Sequence, residues 1–237
     1  MRIDKFLANM GFGTRKEVKQ LIKSKAVTVD GDTVKDSGQN IQPDTATVKV
    51  YGDHVEYKPY VYIMMNKPAG VISATEDHKD KTVVDLLGPE VAHYDLHPVG
   101  RLDKDTVGLL LLTNDGDLTH QLLSPKKKVP KRYFAHVEGR VTQKDVEAFQ
   151  EGVELEDGYK TKPGELNILK SDEISDIELV ITEGKFHQVK RMFEAVEKKV
   201  VYLKRLEMGS LSLDSELPEG EYRELTVEEL DSLKAKN

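Results

Sequence analysis

The chain has 237 residues, of which 38% are hydrophobic and none is cysteine, and a formal net charge of -7. That length and apolar share suit a soluble globular protein of one large domain or of a small domain joined to a medium one. Without cysteine there is no disulfide, thiolate zinc site or thiol nucleophile, and without a long apolar stretch or signal-peptide centre the expectation is a cytoplasmic protein with no membrane partner.

Ile3, Phe6, Leu7 and Met10 fall at helical spacing, and Thr14 followed by Glu17 is a capping-box pattern opening a second helix through Val18, Leu21 and Ile22. Val27–Val29, the turn Asp30-Gly31 and Thr33-Val34 predict a hairpin, with a further strand over 47–50. The polar stretch 51–59 reads as a linker, which sets a module at 1–58 and a larger domain at 59–237. In the larger domain, 60–65 predicts a strand that ends at the turn Asn66-Lys67-Pro68-Ala69-Gly70, and 71–73 a second strand. A short helix is expected over 82–87, a buried strand over 109–113, a helix over 115–123 and a strand over 132–137. A helix over 143–149 and strands near 166–169 and 177–181 follow. Val189, Met192, Phe193 and Val196 then give an apolar helix face, with Lys190, Arg191 and Glu194 on the other side. Strands over 200–206 and 211–213 and an acidic amphipathic helix over 227–233 close the chain.

The negative total hides a basic distribution. Residues 1–25 carry Arg2, Lys5, Arg15, Lys16, Lys19, Lys23 and Lys25 against Asp4 and Glu17. A second cluster runs from Lys126 through Lys131 and Arg132, and a third from Lys185 to Arg205. Basic stripes on an acidic body fit an RNA footprint, although any one cluster taken alone fits a solvated face equally well.

The densest pattern is Gly100-Arg101-Leu102-Asp103-Lys104-Asp105-Thr106, followed by Val107-Gly108 and four leucines. A carboxylate between cations at the start of a buried strand stands where an enzyme holds a nucleophile. The block GRLDKDTVGLLLLTNDGDL, the turn NKPAG and the later EGKFHQVKRM together resemble the pseudouridine synthases, in particular the RsuA-type rRNA branch. The helix, helix, hairpin order of the first fifty or so residues is similar to the S4-type RNA-binding domain. The resemblance implies an α+β protein, with a small N-terminal αα-hairpin and β module beside a mixed, largely antiparallel sheet flanked by helices. It implies an isomerase that converts uridine to pseudouridine in ribosomal RNA and needs no cofactor or metal.

Carried over by motif, Asp103 is the catalytic aspartate, attacking either the uracil ring or the sugar. Tyr133 stacks on the extruded base, since a phenol is a poor base at neutral pH but has an aromatic face. Lys190 pairs with Asp103, and Val189 packs beneath the tyrosine. A lysine there gives a single contact where relatives with arginine have a forked grip. Arg101 is expected to fill the gap left by the extruded base or to hold a phosphate, and Lys131, Arg132 and Arg191 to contact the RNA. Arg2, Lys5, Arg15, Lys16 and Lys19 are the RNA-facing cations of the first module. Val107 departs from the threonine usual at that place. His97 and His187 lack the partners a metal site requires.

The motifs and the ending PEGEYRELT look most like the small-subunit enzymes, acting on 16S rRNA, free or within a partly assembled subunit, as a monomer. A large-subunit rRNA enzyme of the same family, a non-catalytic ribosome-assembly factor and a hydrolase that releases uracil are the alternatives left open.

Overall fold

The computed structural model describes residues 1–235 and divides into two compact units, Met1–Val61 with Leu87–Leu96, and Tyr62–Leu86 with His97–Asn237.

The first unit opens with helices α1 (Ile3–Asn9) and α2 (Arg15–Lys23), and the Thr14 hydroxyl caps α2 by accepting the Glu17 N–H at 3.2 Å. Strands β1 (Val27–Val29), β2 (Asp32–Thr33), β3 (Val48–Val50) and β4 (Asp53–His54) form a sheet in the order β2-β1-β3-β4. Asp30 and Gly31 both take positive φ, 50° and 89°, as the tight turn between β1 and β2 demands. Ile3, Phe6, Leu7, Val18 and Ile22 pack on Val27, Val29, Val48 and Val50. A short helix α3 (Pro89–Ala92), not foreseen from sequence, completes the unit. The expected linker is partly structural: Asp53–His54 pairs with β3, Val55 is buried, and Tyr57 stacks on Phe6 at 5.7 Å. The apolar side chains at 55 and 57 give this segment a core to join, which a true linker lacks.

The second unit is built on one sheet. Its strands are β5 (Tyr62–Lys67), β6 (His97–Pro98), β7 (Val107–Thr113), β8 (Lys131–Glu138), β9 (Glu165–Lys170), β10 (Ile174–Ile181), β11 (Lys199–Met208), β12 (Leu211–Ser212) and β13 (Tyr222–Glu224). The main order is β13-β5-β7-β11-β8-β10-β9, with β6 on β7 and β12 on β11. Every named pair is antiparallel except β7 with β11, which run parallel through Lys204↔Val107 and Arg205↔Gly108. The sheet is therefore mixed and largely antiparallel. Gly108 sits at that junction with φ 104°, and a Cβ there would lie 2.3 Å from the Arg205 carbonyl oxygen, so the close approach of the two strands requires glycine.

Helices α4 (Gly116–Leu123), α5 (Gln143–Glu151), α6 (Gln188–Ala195) and α7 (Val227–Ala235) flank this sheet. Asp115 caps α4 by accepting the Leu118 N–H at 3.1 Å. Leu109 and Leu111 pack with Leu118, Leu122 and Leu233, and Phe149 of α5 meets Phe193 of α6 edge-on at 4.9 Å. Leu109, Leu110, Leu111 and Leu112 are all 0% exposed, so β7 is covered on both faces, and burial of each side chain contributes about 2 kcal/mol. Residues 71–73 form no strand. Ile72 makes only an isolated bridge to Thr82, and 84–86 is a single 3-10 turn. No helix among the described residues is long and apolar enough to cross a membrane.

Candidate active site

The segment 99–106 joins β6 to β7 and is anchored from several directions. The Ser73 hydroxyl donates to the Leu102 carbonyl and accepts the Leu102 N–H, both at 3.0 Å. The Asp103 carbonyl accepts the Thr106 N–H at 3.0 Å, closing a turn around Lys104 and Asp105. Lys67, fully buried at the end of β5, donates its ammonium to the carbonyls of Pro68, Lys104 and Thr106 at 3.0, 3.2 and 2.7 Å. The Gly70 N–H adds a bond to the Lys104 carbonyl at 2.9 Å. The NKPAG turn is thus the clamp for the Asp103 turn. Burial is the main force on the Lys67 ammonium and lowers its pKa to about 8, while Asp105 and Asp103 oppose the shift.

Asp103 is partly exposed at an open pocket lined by Arg101, Tyr133, His187, Val189, Lys190 and Leu203, among others. Its two carboxylate oxygens have different partners: Oδ2 lies 3.1 Å from Lys190 Nζ and Oδ1 lies 3.2 Å from His187 Nε2. Lys190 Nζ also binds Asp105 Oδ1 at 2.7 Å, so the cation sits between two carboxylates of one turn. Burial pulls the Lys190 pKa down, but the hydrogen bonds to Asp105 and Asp103 outweigh it and the net direction is up. The hydrogen bond from Lys190 likewise holds Asp105 below the ordinary carboxylate range.

Helix α6 begins where its sequence turns from glycine-bearing loop to apolar periodicity, and it brings Val189 and Lys190 to the pocket from one turn. Val189 is 4% exposed beside Tyr133, which is itself 8% exposed on β8. Tyr133 therefore shows little more than one edge or face to the opening. His187 of the pocket lining carries Phe186 stacked on its ring, with centroids 3.8 Å apart and planes at 17°.

Two expected RNA-contacting cations, Arg132 and Arg191, are otherwise engaged. Arg132 alternates to the opposite side of β8 from Tyr133 and pairs with Glu178 at 3.0 Å and Glu207 at 3.2 Å. Arg191 binds Glu156 and Asp157, each at 2.7 Å, and the Phe186 carbonyl at 2.9 Å, so its guanidinium braces a loop. Lys131 lies on the Tyr133 side of β8 but does not line the pocket, and burial, reinforced by Arg205, lowers its pKa. Arg101 is exposed on the pocket wall. Val107 is buried as the first residue of β7, an environment that suits valine. In the first unit, Arg2 and Arg15 lie 3.0 and 3.7 Å from the buried Asp4 carboxylate, whereas Lys5, Lys16 and Lys19 are exposed. The hydrogen bond from Arg2 keeps the Asp4 carboxyl below the ordinary range despite its burial.

Sequence reading missed the structural duties of Lys67, Ser73, Asp105 and His187. A lysine closing an apolar strand was the available signal for the first, since a buried ammonium requires carbonyl or carboxylate partners. His97 lies apart, its Nε2 hydrogen-bonded to Thr119 at 2.9 Å. Among the described residues no three His, Asp or Glu side chains are grouped as a metal site would require.

One open pocket on a mixed sheet holds an ion-paired aspartate, a shielded tyrosine and a lysine, and a small α/β module precedes it in the chain. Residues 61–195 match the RNA pseudouridylate synthase family and residues 1–46 match the S4 domain. The chain is 56% identical over 231 residues to an uncharacterized RNA pseudouridine synthase, YtzG, of Bacillus subtilis, covering 97% of each protein. It is 44% identical over 234 residues to the ribosomal small subunit pseudouridine synthase A of Vibrio cholerae, covering 98% of this chain and 99% of the relative. A crystal structure of a pseudouridylate synthase matches with a TM-score of 0.69 at 36% identity, covering 98% and 99% of the two chains. The chain belongs to the RNA pseudouridylate synthase family, and its activity is the isomerisation of uridine in RNA.

Proposed function

We propose that this protein converts one uridine of 16S ribosomal RNA to pseudouridine, with Asp103 as the nucleophile, Tyr133 stacked on the extruded uracil and Lys190 holding the aspartate. The net reaction breaks the bond from C1′ to N1 and joins C1′ to C5. The proton on C5 leaves and N1 gains one, so no redox partner or outside group is consumed. A carboxylate at the reacting centre attacks C6 of the ring or C1′ of the sugar, and either route requires it to be anionic and aimed. The observation that carries this reading is the double hold on Asp103, by Lys190 at 3.1 Å and His187 at 3.2 Å, in the pocket that Tyr133 also lines.

Similarity along nearly the whole chain to proteins named for the small ribosomal subunit supports 16S rRNA as substrate. The S4 match and the exposed Lys5, Lys16 and Lys19 support a role for residues 1–58 in holding the RNA backbone, beside a catalytic domain over 59–237. We place the reaction in the cytoplasm, on rRNA that is free or partly assembled, with the protein acting as a monomer.

The test incubates the protein and an Asp103→Asn variant with unmodified 16S and 23S transcripts and maps pseudouridine chemically. A single 16S site made by the wild type and lost in the variant is expected. Equal product from both proteins removes Asp103 from the chemistry. Product only in 23S rRNA moves the substrate to the large subunit, free uracil makes the protein a hydrolase, and no product on either RNA favours an assembly factor.

A further inference from the structure

Phe186 is 76% exposed, more than any other large hydrophobic among the described residues. Covering a phenyl ring is worth about 2 kcal/mol, so a ring held in water at the lip of a pocket calls for a reason. The loop that carries it is firmly built. Arg191 donates to the Phe186 carbonyl at 2.9 Å, the Lys185 N–H donates to Gln188 Oε1 at 2.9 Å, and Gln188 Nε2 donates to Glu183 Oε1 at 2.9 Å. Glu183 also accepts the Tyr159 hydroxyl and the Lys162 N–H. Next along the chain, His187 takes the left-handed conformation, φ 48° and ψ 34°, which costs a residue with a Cβ on the order of 1 kcal/mol. That twist is what lets the imidazole reach Asp103 at 3.2 Å with Phe186 stacked on its ring.

We propose that Phe186 is a base-stacking subsite, taking an unpaired nucleobase next to the target uridine in the RNA chain. The inference rests on the reading of the pocket as a site for an extruded uridine. Once a uridine leaves its stack its neighbours lose a partner, and a fixed aromatic ring at the pocket rim supplies a replacement. One side of the Phe186 ring is taken by His187, and the ring's exposure leaves the other side to a base. Phe186 lies between Lys185 and His187, which line the pocket, and Lys185 and Arg101 set positive charge along the path of the backbone. Any base has a π face, so this contact would add affinity with little sequence preference.

The test compares wild type with Phe186→Leu, Phe186→Ala and Phe186→Trp in the full chain, on unmodified 16S transcripts. It reads pseudouridine formation under steady state and retention of labelled RNA on filters. Leucine keeps apolar bulk and discards the π face, so Leu and Ala variants are expected to raise KM and weaken RNA retention by on the order of tenfold, with kcat near that of wild type and Trp as tight as Phe. A Leu variant equal to wild type in KM and retention overturns the proposal, as does a loss confined to kcat, which would put the effect on Asp103 through His187. If the wild type forms no pseudouridine, the parent reading fails by itself, and the retention series still decides: equal retention, or none by any protein, overturns the subsite.

Discussion

The ammonium of Lys67 donates to the carbonyl of Thr106 across 2.7 Å inside the protein, and a second bond at 3.2 Å reaches the carbonyl of Lys104. These carbonyls flank Asp105, and the turn they belong to begins at Asp103. A side chain that is not itself in the pocket lining thus braces the turn on which the proposed nucleophile stands.

Replacing Lys67 with methionine removes the shared donor of three carbonyls while keeping the apolar stem. A buried polar group left unpaired costs about 1–3 kcal/mol and the Gly70 N–H still serves one of the three, while removing the ammonium also removes its burial penalty, so the expected net loss in urea unfolding at neutral pH is on the order of 1 kcal/mol. Loss of activity should exceed the loss of folded protein, because the Asp103 turn relaxes. An unfolding midpoint equal to that of wild type would falsify the clamp.

The same lysine makes stability depend on pH. Burial lowers its pKa to about 8 in the folded protein against 10.5 in the unfolded chain. Between those values the unfolded state holds a proton that the folded state has released, so stability rises with pH across this window. Relative to Lys67→Met, wild type is expected to gain on the order of 3 kcal/mol from pH 8 to 10.5, at about 1.4 kcal/mol for each unit of separation. A stability difference that stays flat over that range would place the titration elsewhere.

Lys190 lies 3.1 Å from Asp103 and 2.7 Å from Asp105. Its raised pKa and the lowered one of Asp105 mean that the pair stays charged through neutral pH. The Asp105 contribution is lost only as pH falls through its lowered value, and that of Lys190 only as pH rises through its raised one. Lys190→Met is expected to lower kcat about a hundredfold by releasing the Asp103 carboxylate, with KM little changed. Lys190→Arg, which can fork between both carboxylates, should recover most of that rate. Single-turnover assays between pH 6 and 9 read both effects, and a Met variant with wild-type kcat removes Lys190 from aiming the aspartate.

Cations bound to carboxylates release few counterions from RNA. Arg191, tied to Glu156 and Asp157, and Arg132, tied to Glu178 and Glu207, should leave the slope of log affinity against log salt unchanged when replaced by alanine. Arg101→Ala, on the pocket wall, should reduce that slope by on the order of one. Filter binding at several salt concentrations measures this, and a slope altered by Arg132→Ala would mean that its ion pairs open on RNA.

Local signals carried a large part of the fold. Thr14 and Glu17 mark the start of α2, Asp30-Gly31 marks the hairpin, and the spacing of Val189, Met192 and Phe193 marks α6, because caps, turns and helical faces are written in neighbouring residues. Asp103, Tyr133 and Lys190 were legible through motifs and meet at one pocket. What sequence did not disclose is non-local. Residues 71–73 carry the β-branched pair Val71-Ile72 but find only the bridge from Ile72 to Thr82. Ser73 instead spends its hydroxyl on Leu102, and no spacing rule connects those positions. The short strand Tyr222–Glu224 is formed by pairing with β5, more than 150 residues earlier, and its own composition gave little sign of it. Arg132 and Arg191 read as RNA contacts because their carboxylate partners are distant in the chain.

Strand β11 lies between β7 and β8, so it bridges the half of the pocket that holds Asp103 and the half that holds Tyr133. It is also among the last strands to be synthesised. A nascent chain halted after Ala195 would already contain Asp103, Tyr133, His187 and Lys190, yet nothing would hold the first two side by side. The pocket is therefore assembled only once the thirteen residues from Val196 to Met208, which complete β11, have joined the chain, later than all four of these side chains.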